Sequence, residues 1–287
     1  MGLKDVHIID GSWLCYVGLF SQRNLSANGI KTGGTYHMLK TLLKIKREHP
    51  GDLIYLVLDG ENGKEERLNL YPGYKGGRRK DISKSEFQIN IDCVMFISSL
   101  IKDTIVIKDK NAEADDVICS IMKNYDAFPD TAKIHIYGTD KDFYQAASSK
   151  TIFHSKKEDK TMEDIEKYFG LKIKDLLLYR AARGDSSDNI PAALPRIQHK
   201  TLISEIINNY PDNIPTNTKW GKLFHDNKKQ FELNLKLMRY KHVSLTKDNI
   251  VGGYNFYPKE KAVDLLDKLA LKYIKKQLEE INYDKKW

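Results

Sequence analysis

The sequence lacks long hydrophobic runs, and none of its apolar stretches reaches the length that crosses a bilayer. Cysteine is also scarce: Cys15, Cys93 and Cys119 stand far apart, without the paired spacing of a zinc site. We therefore expect three buried, reduced thiols in a cytoplasmic protein, or one of the host cytoplasm if a phage encodes it. We expect no secretory leader, because the first residues are charged, and no myristoylation, because Val6 breaks that pattern.

Acidic residues are outnumbered, with 39 Asp and Glu against 47 Lys and Arg, which gives a net charge of +8. This balance is typical of proteins that bind a polyanion such as nucleic acid. A merely basic soluble protein explains the charge equally well. Hydrophobic residues make up 41% of the chain, so a sizeable core can form and bulk disorder is excluded.

Short apolar runs alternate with helical patterns in the first half of the chain. The runs end at Asp10, Asp59 and Asp140, and a weaker run covers 103–109. The helical patterns cover 33–47, 85–101 and 114–125. This alternation predicts an α/β fold, a parallel sheet with helices on both faces.

Helix dominates from about residue 160 onward. A capped helix is predicted after Thr161, another ends at Gly184, and a loop lies within 208–221. Further helical patterns cover 199–209, 227–240 and the last residues of the chain. We predict an α/β region over 1–160 and a helical region over 161–287, packed as one unit.

Carboxylates accumulate where the predicted strands end. In a parallel sheet these ends share one rim, which is where ligands bind. Singly, each acid has an ordinary explanation as a turn residue or as an acid in a first helical turn. The acids expected at this rim are Asp10, Asp59, Glu113, Asp115, Asp116, Asp140, Asp142, Asp185 and Asp188.

So many carboxylates repel one another in a partly dry cleft unless cations lie between them. Oxygen ligands favour Mg²⁺ or Mn²⁺ over zinc. Two such ions about 4 Å apart are the usual device for cutting a phosphodiester. A basic surface with an acidic pocket therefore predicts a protein that holds a nucleic acid and cleaves it.

Six motifs stand in register: "IIDG", "LVLDG", "YPGYKGGRR", "EADD", "GTDKDF" and "GDSSDNIP". Over residues 4 to about 245 the chain resembles the 5′-nuclease superfamily, which includes flap endonucleases and the 5′→3′ exonuclease domain of DNA polymerase I. Its size resembles the stand-alone bacteriophage enzymes. The resemblance implies a PIN-like sheet, a helical arch at about 62–95 and a C-terminal helix–turn–helix-type DNA-binding region.

The resemblance also implies roles for single residues. Asp10, Asp59, Glu113 and Asp115 correspond to a first metal cluster with Asp116 close by, and the other four acids correspond to a second. Lys75 and Arg78 correspond to catalytic basic residues that polarise the phosphate. Tyr74 is placed to stack on an unpaired base. Other residues implied in nucleic-acid binding are Arg79, Arg180, Arg196, Lys200 and Thr201.

One segment departs from the family pattern. Where relatives carry a glycine-rich hairpin that grips duplex DNA around a potassium ion, this chain reads "AALPRIQHKTL". Arg196 and Gln198 take the glycine positions, and a Cβ disfavours the positive φ that glycine permits. We therefore expect duplex binding without potassium, with Arg196 contacting phosphate directly.

The expected function is a 5′-nuclease, dependent on two Mg²⁺ or Mn²⁺ ions, that acts on DNA 5′ ends, flaps or RNA primers in replication or repair. We expect a monomer. One alternative is a PIN-like ribonuclease, but minimal PIN domains lack the arch motif and "GDSSDNIP". Another is a DNA-structure-binding protein without catalysis, which the intact carboxylate set disfavours.

Overall fold

A computed structural model describes residues 4–77, 81–126, 132–155 and 157–281. Its main sheet has seven strands in the order β8-β7-β6-β1-β4-β5-β9, and a two-stranded hairpin, β2-β3, stands apart. The strands are β1 (Val6–Asp10), β2 (Ser26–Ala27), β3 (Ile30–Lys31), β4 (Leu53–Leu58), β5 (Thr104–Lys108), β6 (Ile134–Tyr137), β7 (Thr151–His154), β8 (Lys160–Thr161) and β9 (Ile250–Gly253).

Twelve α-helices lie within the described residues. They are α1 (Gly11–Ser21), α2 (Gly33–Glu48), α3 (Glu65–Leu70), α4 (Lys84–Ile97), α5 (Ala114–Asp126), α6 (Met162–Phe169), α7 (Ile173–Arg183), α8 (His199–Thr201), α9 (Lys219–Asp226), α10 (Lys228–Met238), α11 (Lys259–Lys268) and α12 (Lys272–Ile281). None of these helices is long and apolar enough to cross a bilayer.

The five inner strands of the sheet run parallel, and only the edge strands β8 and β9 are antiparallel. Parallel strands carry their carboxyl ends to the same edge. The ends of β1, β4 and β6 are therefore neighbours, as the sequence pattern predicted. This rim carries the candidate site.

The sheet separates two apolar layers. Ile9 of β1 packs into the layer formed with α1, α2, α4, α11 and α12. Val6 and Ile8 point to the opposite face, where α5 and the start of α7 cover the sheet. Because side chains point alternately to the two faces, a strand covered by helices on both faces needs hydrophobic residues at nearly every position, as β1 has.

The last part of the chain returns to the first region. Strand β9 pairs with β5, and Ala262, Leu266, Ile274 and Leu278 are buried in the same layer as α2 and α4. A third apolar cluster is built from α7, α9 and α10. It forms the core of the helical region, which lies between β8 and β9 in the chain. The sequence pattern predicted a mostly helical region over 161–287 and no strand within it, so the edge strand β9 and its return to the sheet were missed.

The predicted arch at about 62–95 divides into two parts. Helix α3 has no buried residue, whereas Ile91, Val94 and Ile97 of α4 are buried in the core. Because α4 is a core helix from about residue 90 onward, its second half cannot belong to an arch. Among the described residues, the segment around α3 and the turn after it stays a candidate for that role.

Candidate active site

The carboxyl ends of the inner strands open into a cleft of about 1040 Å³. Asp10 is the last residue of β1, Asp59 directly follows β4, Asp140 lies three residues after β6, and the start of α5 adds Asp115. The cleft is also lined by Lys75, Arg180 and Asp185. The fold therefore brings the six motifs to one place.

Backbone amides fix the orientation of the three strand-end acids. Asp10 caps α1 by accepting a hydrogen bond from the Trp13 amide at 2.9 Å. Asp59 accepts from the Ala114 amide at 2.9 Å, and Asp140 accepts from the Asp142 amide at 2.8 Å. Each of these bonds uses one oxygen, Oδ1. The other oxygen has no hydrogen-bond partner among the described residues, so it can accept a ligand.

Negative charge at this rim is poorly compensated. Burial, together with the neighbouring Asp59 and Asp140, raises the pKa of Asp10 to about 7. Burial, together with Asp140, raises the pKa of Asp115 well above its ordinary value. Burial also raises the pKa of Asp142 to about 7, against the attraction of a nearby arginine. The site therefore favours the arrival of positive charge.

Arg67 neutralises two of the acids in "EADD". Its guanidinium makes two hydrogen bonds to Asp116, at 2.7 and 2.9 Å, and one to Glu113 at 2.9 Å. Asp116 also accepts from the Lys241 amide at 2.7 Å, and its residue exposure is 1%. These hydrogen bonds occupy the oxygens of Asp116, and the residue does not line the cleft. This corrects its predicted grouping with the metal cluster. Arg67 itself was missed, because only the fold shows its partners.

Tyr74 is buried, with 5% exposure, and packs against Ile190, Leu237 and Met238. Its hydroxyl donates a hydrogen bond of 2.9 Å to Glu113. The prediction that its ring stacks on a base is therefore wrong, because the ring is enclosed by the protein. Tyr74 instead orients Glu113.

Lys75 lies beside the carboxylates, with its amine 2.5 Å from a Glu113 oxygen and 3.8 Å from an Asp188 oxygen. Its backbone adopts φ +54° and its amide donates to the Asp188 carbonyl, which fixes the turn. Burial opposes the charged amine, but Glu113 and neighbouring groups raise the pKa of Lys75 well above its ordinary value. Lys75 therefore stays cationic at the edge of the cleft. Arg78 and Arg79 lie outside the described residues.

Arg180 bridges the second group of acids rather than lying on the surface. Its two terminal nitrogens lie 2.5 Å from an Asp142 oxygen and 2.7 Å from an Asp185 oxygen. The contact with Asp142 is close but not aligned as a hydrogen bond, so that buried oxygen lacks a hydrogen-bond partner within the described residues. Arg180 is 9% exposed, so a direct contact with nucleic acid requires it to leave these acids.

The turn in "GDSSDNIP" depends on Gly184. Its φ is +71°, and an added Cβ would lie 2.5 Å from the Ile190 carbonyl oxygen. Asp185 and Ile190 bridge across this turn through paired backbone hydrogen bonds. A side chain at 184 would open the turn and move Asp185 away from the cleft.

The hairpin in "AALPRIQHKTL" still contains one residue with a left-handed backbone, although the segment has no glycine. Arg196 adopts φ +64°, whereas Gln198 is extended with φ −69°. Arg196 and Lys200 are exposed and Thr201 is partly buried, while Ile197 anchors the hairpin in the core. A Cβ disfavours positive φ, yet Arg196 adopts it, so the substitution has not removed the left-handed residue at this position. Its place on an exposed loop still allows contact with a phosphate.

Aromatic side chains of α1 line the cleft and were missed from the sequence. Trp13, Tyr16 and Phe20 all border it, and the last two are 43% and 39% exposed. Their spacing of three and four residues places them on one face of a helix. The guanidinium of Arg23 lies 4.9 Å from the centre of the Phe20 ring. That spacing in "GSWLCYVGLF" was the signal that could have identified them.

The residues at the rim suit hard divalent cations. All donors are carboxylate oxygens, the pKa values of Asp10, Asp115 and Asp142 are raised, and one buried Asp142 oxygen lacks an aligned partner. Such a set matches Mg²⁺ or Mn²⁺ better than zinc. A parallel sheet that gathers these acids beside a lysine defines the class of the protein: a hydrolase suited to phosphodiesters.

Comparison with known proteins identifies the family. Residues 5–170 match the family described as "5′-3′ exonuclease, N-terminal resolvase-like domain". The chain is 31% identical over 205 residues to the 5′-3′ exonuclease of Buchnera aphidicola (subsp. Acyrthosiphon pisum, strain APS), across 70% of this chain and 69% of the relative. It is 29% identical over 188 residues to the thermostable DNA polymerase I of Thermus thermophilus, across 65% of this chain and 22% of the polymerase.

A solved structure shares the fold over nearly the whole chain. It is the bacteriophage T5 D15 flap endonuclease in a pseudo-enzyme-product complex with DNA and metal ions, with a TM-score of 0.62 and 17% identity, covering 97% of this chain and 98% of that one. The sequence matches show that this chain belongs to the 5′-3′ exonuclease family. It is therefore a 5′-nuclease, as the six motifs predicted.

Proposed function

We propose that this 5′-nuclease cuts DNA at 5′ ends and flaps with two divalent ions held by the cleft carboxylates. The observation that carries the proposal is one cleft lined by Asp10, Asp59, Asp115, Asp140 and Asp185, in which the raised pKa of Asp10 and of Asp115 indicates too little positive charge. The solved T5 flap endonuclease complex contains DNA and metal ions, which supports the same partners for this chain.

The acids divide into two groups by position. Asp10, Asp59 and Asp115 line the cleft together, and Glu113 lies behind them, in contact with the Lys75 amine at the cleft edge. The second group holds Asp140, Asp142, Asp185 and Asp188. When bound, Mg²⁺ or Mn²⁺ would lower the pKa of an attacking water and stabilise the leaving oxygen.

The chain's own basic residues would position the phosphate. Lys75 carries its charge at the cleft edge, held there by Glu113, and can donate to a non-bridging phosphate oxygen. Arg180 pairs with Asp142 and Asp185, so its positive charge offsets the charge of these two acids until metal cations bind and take over that role. We assign Lys75 to the phosphate and Arg180 to positioning of the acids.

Two surfaces would hold the rest of the substrate. Trp13, Tyr16 and Phe20 border the cleft and offer ring faces to unpaired bases, the role first assigned to Tyr74. The hairpin with Arg196 and Lys200 is exposed and basic, which suits the backbone of a duplex. A single strand meeting a duplex beside the cleft matches a flap, a free 5′ end or an RNA primer on DNA. We propose that the protein acts as a monomer.

Measuring cleavage by the Asp115→Asn variant tests the proposal. The substitution keeps the shape and removes one uncompensated charge, so we expect Mg²⁺-dependent cleavage of a labelled 5′-flap to fall at least about 10³-fold while DNA binding is kept or strengthened. Asp264→Asn is the matched control, since Asp264 is a surface acid on α11 paired with Lys268. Turnover of Asp115→Asn within a few-fold of the wild type would contradict the proposal. Labelled RNA·DNA and hairpin RNA in parallel decide between DNA, primer and ribonuclease activity.

A further inference from the structure

Histidines gather at the opposite end of the sheet from the carboxylate cleft. His7 near the start of β1 and His135 in β6 stack with ring centres 4.5 Å apart, and His49 lies 4.6 Å from His7. His7 stands three residues before Asp10 on the same strand, about 10 Å along it. This cluster plays no part in the chemistry described above.

A tight turn joins two potential ligands. "HPGD" reverses the chain between α2 and β4, with Gly51 at φ +100° and the Asp52 amide donating to the His49 carbonyl at 3.3 Å. Pro followed by a glycine of positive φ is the pattern of a type II turn. The turn holds the His49 and Asp52 side chains beside each other and beside buried His7.

The distances suit a tetrahedral metal ion. An Asp52 oxygen, Oδ2, lies 3.2 Å from His7 Nε2 and 3.7 Å from His49 Nδ1, and ligand atoms of the three residues lie within 4.8 Å of one another. Ligands at about 2.0–2.1 Å from zinc stand about 3.3–3.4 Å apart in a tetrahedron. Small side-chain adjustments therefore suffice to close the three groups around an ion.

We propose that His7, His49 and Asp52 bind one divalent transition metal ion of the zinc class. Two imidazoles and one carboxylate select such ions over Mg²⁺ and Ca²⁺, which prefer oxygen ligands throughout. His7 is fully buried, while the side chains of His49 and Asp52 are 37% and 21% exposed. The open side leaves room for a water as the fourth ligand.

Surrounding groups already orient the buried ligand. The other ring nitrogen of His7, Nδ1, lies 3.1 Å from the Tyr137 hydroxyl. Metal-bound histidines commonly use their second nitrogen in this way, which fixes the tautomer and ring plane. The nearby Lys46 amine is paired with an Asp103 oxygen at 2.8 Å. Asp103 therefore offsets the positive charge that would otherwise repel the metal ion.

The ion would join the end of α2, the following turn and β1. Its expected effect is on stability, since a ligand that binds only the folded state raises its unfolding midpoint. It lies away from the carboxylate rim, so cleavage should not require it. This separates the proposal from the proposed function: each can fail without the other.

Cobalt spectroscopy tests the site in the full-length protein. Protein stripped with a chelator and supplied with excess Mg²⁺, to occupy the carboxylate cleft, is titrated with Co²⁺. We expect about one equivalent to give the intense visible bands of tetrahedral, nitrogen-ligated cobalt. His49→Ala and Asp52→Asn should each weaken binding at least about 10-fold, the size expected for loss of one ligand. His242→Ala, an exposed histidine elsewhere, should not.

Thermal unfolding with Zn²⁺ gives an independent reading. Zn²⁺ should raise the midpoint of the wild type and of His242→Ala but leave His49→Ala unchanged, with Mg²⁺-dependent cleavage equal in all three. Equal Co²⁺ affinity in the wild type, His49→Ala and Asp52→Asn would overturn the proposal. So would bound cobalt with only weak bands, which would place it among oxygen ligands.

Discussion

At the scale of single residues, the three acids of "EADD" have three different environments. Asp116 is held by Arg67, and Glu113 is shared among Arg67, Lys75 and Tyr74. Only Asp115 faces the cleft without a cation of its own, and its pKa is raised accordingly. The sequence predicted that these acids gather, because the ends of parallel strands meet. It could not predict which one stays uncompensated, because that depends on Arg67, distant in the chain.

The substitution Asp10→Asn should stabilise the metal-free protein in a pH-dependent way. The folded-state pKa of Asp10 is raised to about 7, above its value in the unfolded chain, so the folded state loses stability as pH rises from about 4 to 7. Asparagine cannot ionise and can still accept the Trp13 amide bond that caps α1. We expect Asp10→Asn to gain about 4 kcal/mol over the wild type at pH 7.5 and about 1–2 kcal/mol at pH 5.

Urea unfolding with a chelator present measures this difference at pH 5, 6 and 7.5. The exposed control Asp264→Asn should follow the wild type at every pH. An Asp10→Asn curve that runs parallel to the wild type across this range would mean that Asp10 carries no charge penalty. The mutual repulsion inferred for the cleft would then be absent.

Elements with a clear pattern were predicted, and those set by tertiary contacts were not. The apolar runs of β1, β4, β5 and β6 were recognised and are confirmed. Helix α1 was missed because "GSWLCYVGLFS" is apolar on nearly all sides and shows little periodicity. Strand β9 was missed because "IVGG" is short and contains two glycines; it is a strand through its pairing with β5.

The hairpin around Arg196 should bind duplex DNA through a direct charge contact, without a need for potassium. Arg196→Gly removes the charge while permitting the observed φ of +64°. We expect it to lower the slope of log binding constant against log salt by about one unit, as should Arg196→Ala. Lys261→Ala, an equal loss of charge on α11, should leave the slope unchanged.

Replacing potassium with a larger monovalent cation at matched ionic strength completes that experiment. Wild-type binding to the duplex should not change. A potassium requirement would show that the hairpin backbone holds an ion in spite of its side chains. An unaltered salt slope in both Arg196 variants would assign the residue to a place away from the phosphates.

At the scale of the whole molecule, one sheet separates two kinds of ionisable side chain. Its carboxyl edge collects acids in a chain whose net charge is +8, and its amino edge collects histidines. The acidic rim was predictable because Asp10, Asp59 and Asp140 stand at or just after the ends of apolar runs that form neighbouring parallel strands. The histidine cluster was not, because His7, His49 and His135 are far apart in sequence and share no motif. It arises only from the pairing of β1 with β4 and β6.

Counting bound Mn²⁺ by electron paramagnetic resonance tests most directly the claim that the cleft acids hold two catalytic ions. The measurement uses the His49→Ala background, which removes the histidine site. We expect two Mn²⁺ ions per chain, one lost in Asp115→Asn and the other in Asp142→Asn, with flap cleavage lost in both. A chain that cleaves the flap while binding no Mn²⁺, or that keeps both ions in these variants, would contradict it.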